Sequence, residues 1–130
     1  MLKRCVSAVL ALLLLMGCAS AVGLPPAGTS WQGGENYGGA HMYTLYITEN
    51  DGENFGFELS ILRTALYDDC GASLDWDGNV YFTVCQEEVP VMGGEVILFD
   101  DPNALALRFD FSIADYPEDL AGQTILFERT

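Results

Sequence analysis

Positively charged residues and histidine are scarce in this sequence. Lys and Arg number 5 against 19 Asp and Glu, which gives a formal net charge of −14. Because proteins neutralise nucleic-acid phosphates with Lys and Arg, this balance argues against nucleic acid as a partner. The single histidine, His41, argues against a histidine metal centre or a Ser-His-Asp hydrolase. No nucleophile–base pair is apparent either, so we predict a protein that is not an enzyme and carries no cofactor.

The sequence also lacks a hydrophobic run long enough to cross a bilayer, which takes about 20 residues. Its N-terminal apolar run covers 11 residues, 6–16, and follows Lys3 and Arg4. A short basic region followed by a run of this length is typical of a secretory signal peptide. The 130 residues, 50% of them hydrophobic, suffice for one domain and are too few for two.

The end of the apolar run resembles a bacterial lipobox. Residues 15–17, LMG, place an apolar side chain at −3 and a small one at −1 of Cys18. We therefore predict a signal peptide over residues 1–17 and lipidation of Cys18. The protein would then be anchored by lipid in the cell envelope, on the extracytoplasmic side of a bacterial membrane. The alternative is ordinary signal-peptide cleavage after the ASA sequence at 19–21, which would discard Cys18.

Cleavage before Cys18 makes the chain still more acidic. Removing 17 of the 130 residues leaves 113, with three Arg against 19 acidic residues and a net charge of −16. Such a charge opposes contact with anionic headgroups and favours a cationic partner or bound cations. The alternative is a surface charged only for solubility outside the cytoplasm.

The cysteines divide between the leader and the body of the chain. With Cys5 in the signal peptide and Cys18 lipidated, Cys70 and Cys85 remain as an even pair in an oxidising compartment. A two-residue turn at Asp77-Gly78 would place these two cysteines opposite one another, at a spacing that a disulfide accepts. We predict a Cys70–Cys85 disulfide, because a redox pair or metal site lacks a C-x-x-C motif and a nearby histidine.

The body of the chain shows the pattern of strands and turns. Residues 18–30 are small, uncharged and proline-containing and are predicted to be a tether, followed by a domain over 31–130. In the domain, runs rich in Tyr, Phe, Ile, Leu and Val alternate with clusters of Gly, Asp and Asn. The predicted strands are 28–32, 41–49, 54–64, 70–76, 79–86, 94–100, 104–113 and 123–129. Eight such strands form either a sandwich or an up-and-down barrel.

Hairpin registers predict which side chains point inward. A two-residue turn at Asp51-Gly52 opposes Tyr46 with Phe57 and Thr44 with Leu59, and a turn at 101–104 opposes Val96 with Phe109. His41 then lies on the outer face. The aromatic side chains predicted to fill the interior are Tyr46, Phe55, Phe57, Phe109, Phe111 and Phe127.

Two segments resemble the ends of a lipocalin-like (calycin-type) barrel. Residues 28–31, GTSW, resemble the first strand of that family, where a Gly closely precedes a Trp. Residues 122–129, GQTILFER, are similar to its closing strand, which commonly ends in an Arg packed over that Trp. The resemblance covers residues 28–130 and is to small lipocalin-like domains of bacterial lipoproteins. It implies an all-β antiparallel up-and-down meander of about eight strands, closed into a small barrel at Trp31 and Arg129, and it implies no particular activity.

Two further features leave alternatives open. The second hairpin opposes Asp68 with Glu87 and Asp69 with Gln86, next to Glu88, so the strands either separate there or hold a calcium ion between the acids. No other metal site is predicted.

Trp76 lies beside the turn and either caps the barrel end on Leu74 or Tyr81, or anchors a partner.

The leading functional interpretation is a lipid-anchored, non-enzymatic domain that binds an unknown ligand, a small apolar molecule entering the barrel mouth being one example. The alternative is an acidic protein-binding module, such as an inhibitor of a cationic envelope hydrolase of the lysozyme kind. The net charge of −16 would steer a basic enzyme toward it.

Overall fold

The computed structural model describes residues 23–37, 40–62, 65–113 and 120–130. The predicted signal peptide and Cys18 lie outside these ranges. Within them, the chain contains no helix with the length and apolar character needed to cross a membrane. The described secondary structure consists of β1 (Ser30–Tyr37), β2 (Ala40–Asn50), β3 (Asn54–Ile61), β4 (Ala65–Leu74), β5 (Val80–Gln86), β6 (Val89–Leu98), β7 (Ala104–Ser112) and β8 (Thr124–Arg129).

The eight strands form one closed barrel in which every strand pairs antiparallel with its neighbours in sequence. β8 returns to β1, where Trp31 lies opposite Arg129 and Gly33 opposite Phe127. The predicted all-β meander, its closure and the neighbouring positions of the first and last strands are therefore confirmed. A sandwich is excluded, because its outer strands would not pair across 98 positions of sequence.

The barrel has two distinct ends. The turns β2–β3, β4–β5 and β6–β7 lie at one end, together with the start of β1 and the end of β8, and we name it the hairpin end. The connections β1–β2, β3–β4, β5–β6 and β7–β8 lie at the other, which we name the far end. This division follows from the meander alone, since each antiparallel connection reverses the chain.

Aromatic side chains form the centre of the barrel. The rings of Phe57 and Phe82 lie 6.3 Å apart, and those of Phe82 and Phe109 lie 5.2 Å apart, edge to face. Phe55 continues this row, with its ring 5.8 Å from that of Phe57. An eight-stranded barrel is just wide enough to be filled by side chains. The largest side chains with almost no exposure are Trp31, Phe57, Phe109, Phe127, Leu45, Ile47, Leu59, Ile61, Met92, Leu105, Leu107 and Leu120.

The predicted β2–β3 register is wrong by one residue. Ile47 pairs with Phe57 and Leu45 with Leu59, and the register shifts between Ile47 and Glu49. Tyr46 therefore points outward and is 43% exposed. The shifted register buries leucine and isoleucine in place of threonine and tyrosine, which removes more apolar surface from water.

In the β6–β7 hairpin the predicted register is wrong by two residues, which preserves the faces. Val96 pairs with Leu107, and Phe109 remains buried opposite Gly94. A further shift between Gly93 and Gly94 turns Phe111 outward, where it is 41% exposed. A Cβ on Gly94 would overlap the backbone carbonyl of Arg108, so this close approach requires glycine.

The last part of the predicted tether is packed on the barrel. The Asn50 side-chain amide donates to the carbonyl oxygens of Leu24 and Pro25, at 3.3 and 2.9 Å. The Gly28 N–H donates to the Ile47 carbonyl at 2.7 Å, and Thr29 is buried. The segment that closes the hairpin end therefore begins near residue 24, before the predicted domain boundary at residue 31.

Candidate functional site

The predicted Cys70–Cys85 disulfide is wrong. Cys70 pairs with Val84 and Asp69 with Cys85, so the two cysteines occupy opposite faces of the sheet, and both are free thiols. The cause is a turn one residue longer than predicted, in which the Asp75 N–H donates to the Asn79 carbonyl at 2.8 Å. Burial raises the pKa of the Cys70 thiol to about 12, so this thiol is not a nucleophile at neutral pH.

The four acids predicted to oppose one another do not converge. A register shift between β3 and β4 leaves Asp68 and Asp69 both exposed, and the β4–β5 ladder ends at Asp69 and Cys85. Glu87 and Glu88 form the β5–β6 turn with positive φ angles of 53° and 69°. In the described ranges no group of three His, Cys, Asp or Glu side chains lies close enough to hold a metal ion. The strands thus separate where the acids would have met, which leaves no calcium site to propose.

Trp31 closes the barrel without enclosing Arg129. The indole is buried and its Nε1–H donates to the Thr29 hydroxyl at 2.9 Å, while that hydroxyl donates to the Pro26 carbonyl at 2.6 Å. Arg129 is exposed and lies opposite Trp31 in the β1–β8 pairing, and the packing of its guanidinium over the indole stays a prediction. The preceding segment supplies the polar partner that the indole needs, because it folds back over the ring.

Trp76 is the most conspicuous side chain of the hairpin end. It is completely exposed, and the prediction that it caps the barrel by packing on Leu74 or Tyr81 is wrong. Those two side chains are themselves 42% and 47% exposed. A shallow cleft of about 360 Å³ lies beside the indole, lined by Glu53, Leu74, Asp75 and Trp76. We name these four residues with Asp77 the hairpin-end surface.

The hairpin turns are held by aspartate side chains. The Asp75 carboxylate accepts the N–H groups of Asp77 and Asn79, both at 2.9 Å. Asp51 likewise accepts the N–H of Glu53 at 3.0 Å, and such bonds lower its pKa. Turns of this kind present their side chains in a fixed orientation. The acidic residues at this end are Glu49, Asp51, Glu53, Asp75, Asp77, Asp100, Asp101 and Glu128.

The arginines do little to neutralise this end. Arg108 lies on the outer wall of the barrel, where its guanidinium pairs with Glu95 at 2.7 Å and approaches Asp110 at 3.4 Å. Among the described residues, Arg129 is the cation at the hairpin end. It lies on β8, across the barrel from the β4–β5 hairpin that carries Trp76. The field around Trp76 is therefore set by carboxylates.

A second cleft, missed by sequence reasoning, lies at the seam between β1 and β8. It has a volume of about 490 Å³. Its lining residues come from β1, β2, β8 and the residue before β8, and are Gln32, Gly33, Gly34, His41, Met42, Tyr43, Gln123, Thr124, Ile125, Leu126 and Glu128. We name it the seam cleft. The Gly-Gly pair following Trp31 is the sequence signal that could have indicated it.

His41 lies at this cleft with an unpaired nitrogen. The prediction of an outer-face histidine is wrong, because His41 shares the inward face of β2 with Tyr43 and Leu45. Its Nδ1 is buried and has no hydrogen-bond partner among the described residues. A buried nitrogen without a partner costs free energy, which a ligand that supplies one would recover.

No protein-family model, curated protein or solved structure matches the chain.

Proposed function

We propose that the protein is a lipid-anchored, non-enzymatic binding domain of the bacterial cell envelope, built on a lipocalin-like barrel. It binds a cationic protein through the hairpin-end surface. The observation that carries this proposal is the complete exposure of Trp76 between Asp75 and Asp77. A tryptophan that adds nothing to the core is costly to expose, and tryptophans are enriched among the side chains that dominate protein interfaces.

The chemistry of this surface selects a basic partner. An Arg or Lys side chain placed over the indole gains about 0.5–2 kcal/mol, more as the contact is desolvated. Glu53, from the neighbouring β2–β3 hairpin, lines the same cleft as the indole, and Asp77 follows Trp76 in the chain, so both carboxylates lie near the place where a cation would bind. The net charge of −16 that follows cleavage before Cys18 adds long-range attraction that raises the association rate.

The packed interior favours a protein over a small apolar ligand. The phenylalanine row from Phe55 to Phe109 occupies the barrel centre, and Trp31 covers it at the hairpin end. A ligand inside the barrel would have to displace these rings at the cost of their packing. The alternative raised by the acidic sequence, an inhibitor of a cationic envelope hydrolase such as lysozyme, therefore becomes the preferred form of the hypothesis.

The anchor places this surface near the membrane. The segment packed on the barrel starts near Leu24 at the hairpin end, so a lipid on Cys18 would be joined to that end by residues 18–23. Six extended residues span at most about 20 Å. The partner is therefore met close to the membrane surface, where an enzyme attacking the envelope is intercepted.

Binding of lysozyme, used as a basic probe, tests the proposal. Trp76→Ala should weaken binding about tenfold or more, as truncation of an anchor residue does. Tyr46→Ala, at an exposed aromatic on the outer wall, is the matched control and should bind like the wild type. Raising the salt from about 20 to about 300 mM should sharply weaken the wild-type complex.

Two outcomes would contradict the proposal. One is the absence of lysozyme binding at low salt. The other is equal affinity of wild type and Trp76→Ala, which would remove the hairpin-end surface from the interface.

A further inference from the structure

The seam between β1 and β8 is only partly paired. β1 pairs with β8 at three positions, Trp31, Gln32 and Gly33. On its other side, β8 pairs with β7 over five positions, down to Thr124 opposite Arg108. Among the described residues, the stretch Thr124–Leu126 of β8 therefore pairs with a neighbouring strand only on the β7 side. It forms a short sheet edge inside an otherwise closed barrel.

The alternation of hydrogen bonds shows which backbone groups this edge exposes. The Phe109 N–H donates to the Gln123 carbonyl and the Arg129 N–H to the Asn103 carbonyl, both at 2.8 Å, so odd-numbered residues of β8 bond toward β7. The Thr130 N–H donates to the Ser30 carbonyl at 3.0 Å, so even-numbered residues bond toward β1. Beyond the last pair, the Leu126 N–H and the backbone groups of Thr124 face the seam cleft without a partner on β1.

Two glycines of β1 set where it leaves β8: Gly33 allows the last close approach to Leu126 and Phe127, and Gly34 follows it. Gly34 has a φ of +77°, and the β1–β2 register shifts between Gly33 and Asn36. A Cβ on Gly34 would lie 2.6 Å from the ring of Tyr43, so β1 turns toward β2 at a point where only glycine fits. The edge is thus a consequence of built-in backbone geometry.

We propose that the seam cleft binds an extended, basic peptide segment, which adds to β8 as a short strand beside Thr124 and Leu126. An exposed ladder edge recognises the backbone of a strand, and this mode of peptide binding needs no preformed apolar pocket. The exposed carboxylate of Glu128 and the net charge of −14 select a basic segment over an acidic one.

This inference stands apart from the proposed function. The seam cleft extends along β1 and β8 toward the far end, whereas Trp76 lies on the β4–β5 turn across the barrel. Loss of one binding activity leaves the other testable.

The probe is a blocked hexapeptide of alternating Lys and Val, titrated into the protein and followed by amide NMR. Binding should shift the amide signals of Thr124 and Leu126 and the ring signals of His41. The same peptide N-methylated at alternate residues keeps its charge but loses the donors that pair with β8. We expect it to bind about tenfold more weakly. A hexapeptide of Glu and Val should not bind.

Variants locate the interaction. Leu126→Pro removes the N–H that faces the seam and should weaken the Lys-Val peptide about fivefold or more. Trp76→Ala should leave peptide affinity unchanged. The inference is overturned if the N-methylated peptide binds as well as its parent, if no signal shifts, or if the shifts lie only at the hairpin end. The peptide comparison decides the question even if Leu126→Pro fails to fold.

Discussion

The hairpin end and the seam cleft present different parts of the chain. At the hairpin end, Asp51 and Asp75 bond their own turns and leave side chains such as Trp76 to face solvent. At the seam, glycines withdraw side chains and leave the backbone of β8 uncovered. The first surface suits recognition by charge and aromatic contact, and the second suits recognition by a strand. The comparison shows that a small filled barrel can still carry sites, provided that they lie on its turns and its seam.

Lipidation gives the largest expected effect, because it decides which of these surfaces lies next to the membrane. Labelling with an alkyne fatty acid should mark the wild type and not Cys18→Ala, since the LMGC sequence places Cys18 as the acceptor. Labelled bands are compared on a gel after coupling to a fluorophore. Equal labelling of the two proteins would show that the hairpin end is not held there by a lipid on Cys18.

The seam should be far more sensitive than the hairpin tips to loss of a glycine. Gly34→Ala combines a positive φ with contact on the Tyr43 ring and should cost about 3 kcal/mol of unfolding free energy. Gly52→Ala is the matched control, because its φ is +98° but its Cβ would meet open space, and should cost about 1 kcal/mol. Urea denaturation measures both. Similar losses would mean that the seam geometry is not constrained by Tyr43.

The rigidity of the Trp76 hairpin depends on one carboxylate. Asp75→Ala removes the acceptor of two turn N–H groups and should destabilise the protein by about 1–2 kcal/mol, and it should also weaken lysozyme binding through a mobile Trp76. Asp77→Ala also removes one negative charge, but it leaves the acceptor that holds the turn in place. It should change stability by less than about 0.5 kcal/mol. Thermal unfolding and binding are measured on both variants. If Asp77→Ala were as destabilising as Asp75→Ala, the two hydrogen bonds accepted by Asp75 would not be the reason for its contribution to stability.

Acid should loosen the β2–β3 turn before it affects the seam. Hydrogen bonds from the N–H groups of Glu53 and Asn54 hold the pKa of Asp51 below its ordinary value of 3.8. Because the folded-state pKa is the lower one, the stabilisation is present above the unfolded-state pKa and is lost as pH falls through the folded-state value. The stability difference between wild type and Asp51→Ala should therefore be constant near neutral pH and shrink below about pH 4. A difference that persists in strong acid would show that the charge of Asp51 is not what holds the turn.

Period-2 patterns and turn residues were enough to predict eight strands and their order, whereas the closure of the barrel was implied only by the resemblance of residues 28–31 and 122–129 to a lipocalin-like barrel. The runs around Phe57 and Phe109 alternate cleanly, and each remains buried. Local reasoning failed at the register shifts. A turn one residue longer than predicted after β4 reverses the face of Cys85 relative to Cys70, which removes the predicted disulfide. A bulge changes no residue type, so no local pattern marks it.

The candidate sites were harder to predict than the fold. Trp76 was identified from its place beside a turn, but whether it packs or protrudes depends on how far the turn extends beyond the barrel wall. The unpaired nitrogen of His41 depended on the same one-residue shift that turned Tyr46 outward. The seam cleft depends on where β1 leaves β8, which involves residues about ninety positions apart.

The sequence by itself determined that this protein is acidic and all-β, because charge, alternation and turn chemistry are local properties that each segment carries alone. The signal-peptide and lipobox pattern is likewise a local property of the sequence. Only the tertiary structure decided which face of β2 and β4 lies inside, that Cys70 and Cys85 stay apart, and that the seam beside Gly34 opens. The physical reason is that a closed barrel requires compatible registers between all eight strands at once. Single-residue bulges correct the mismatch at positions where this improves the packing.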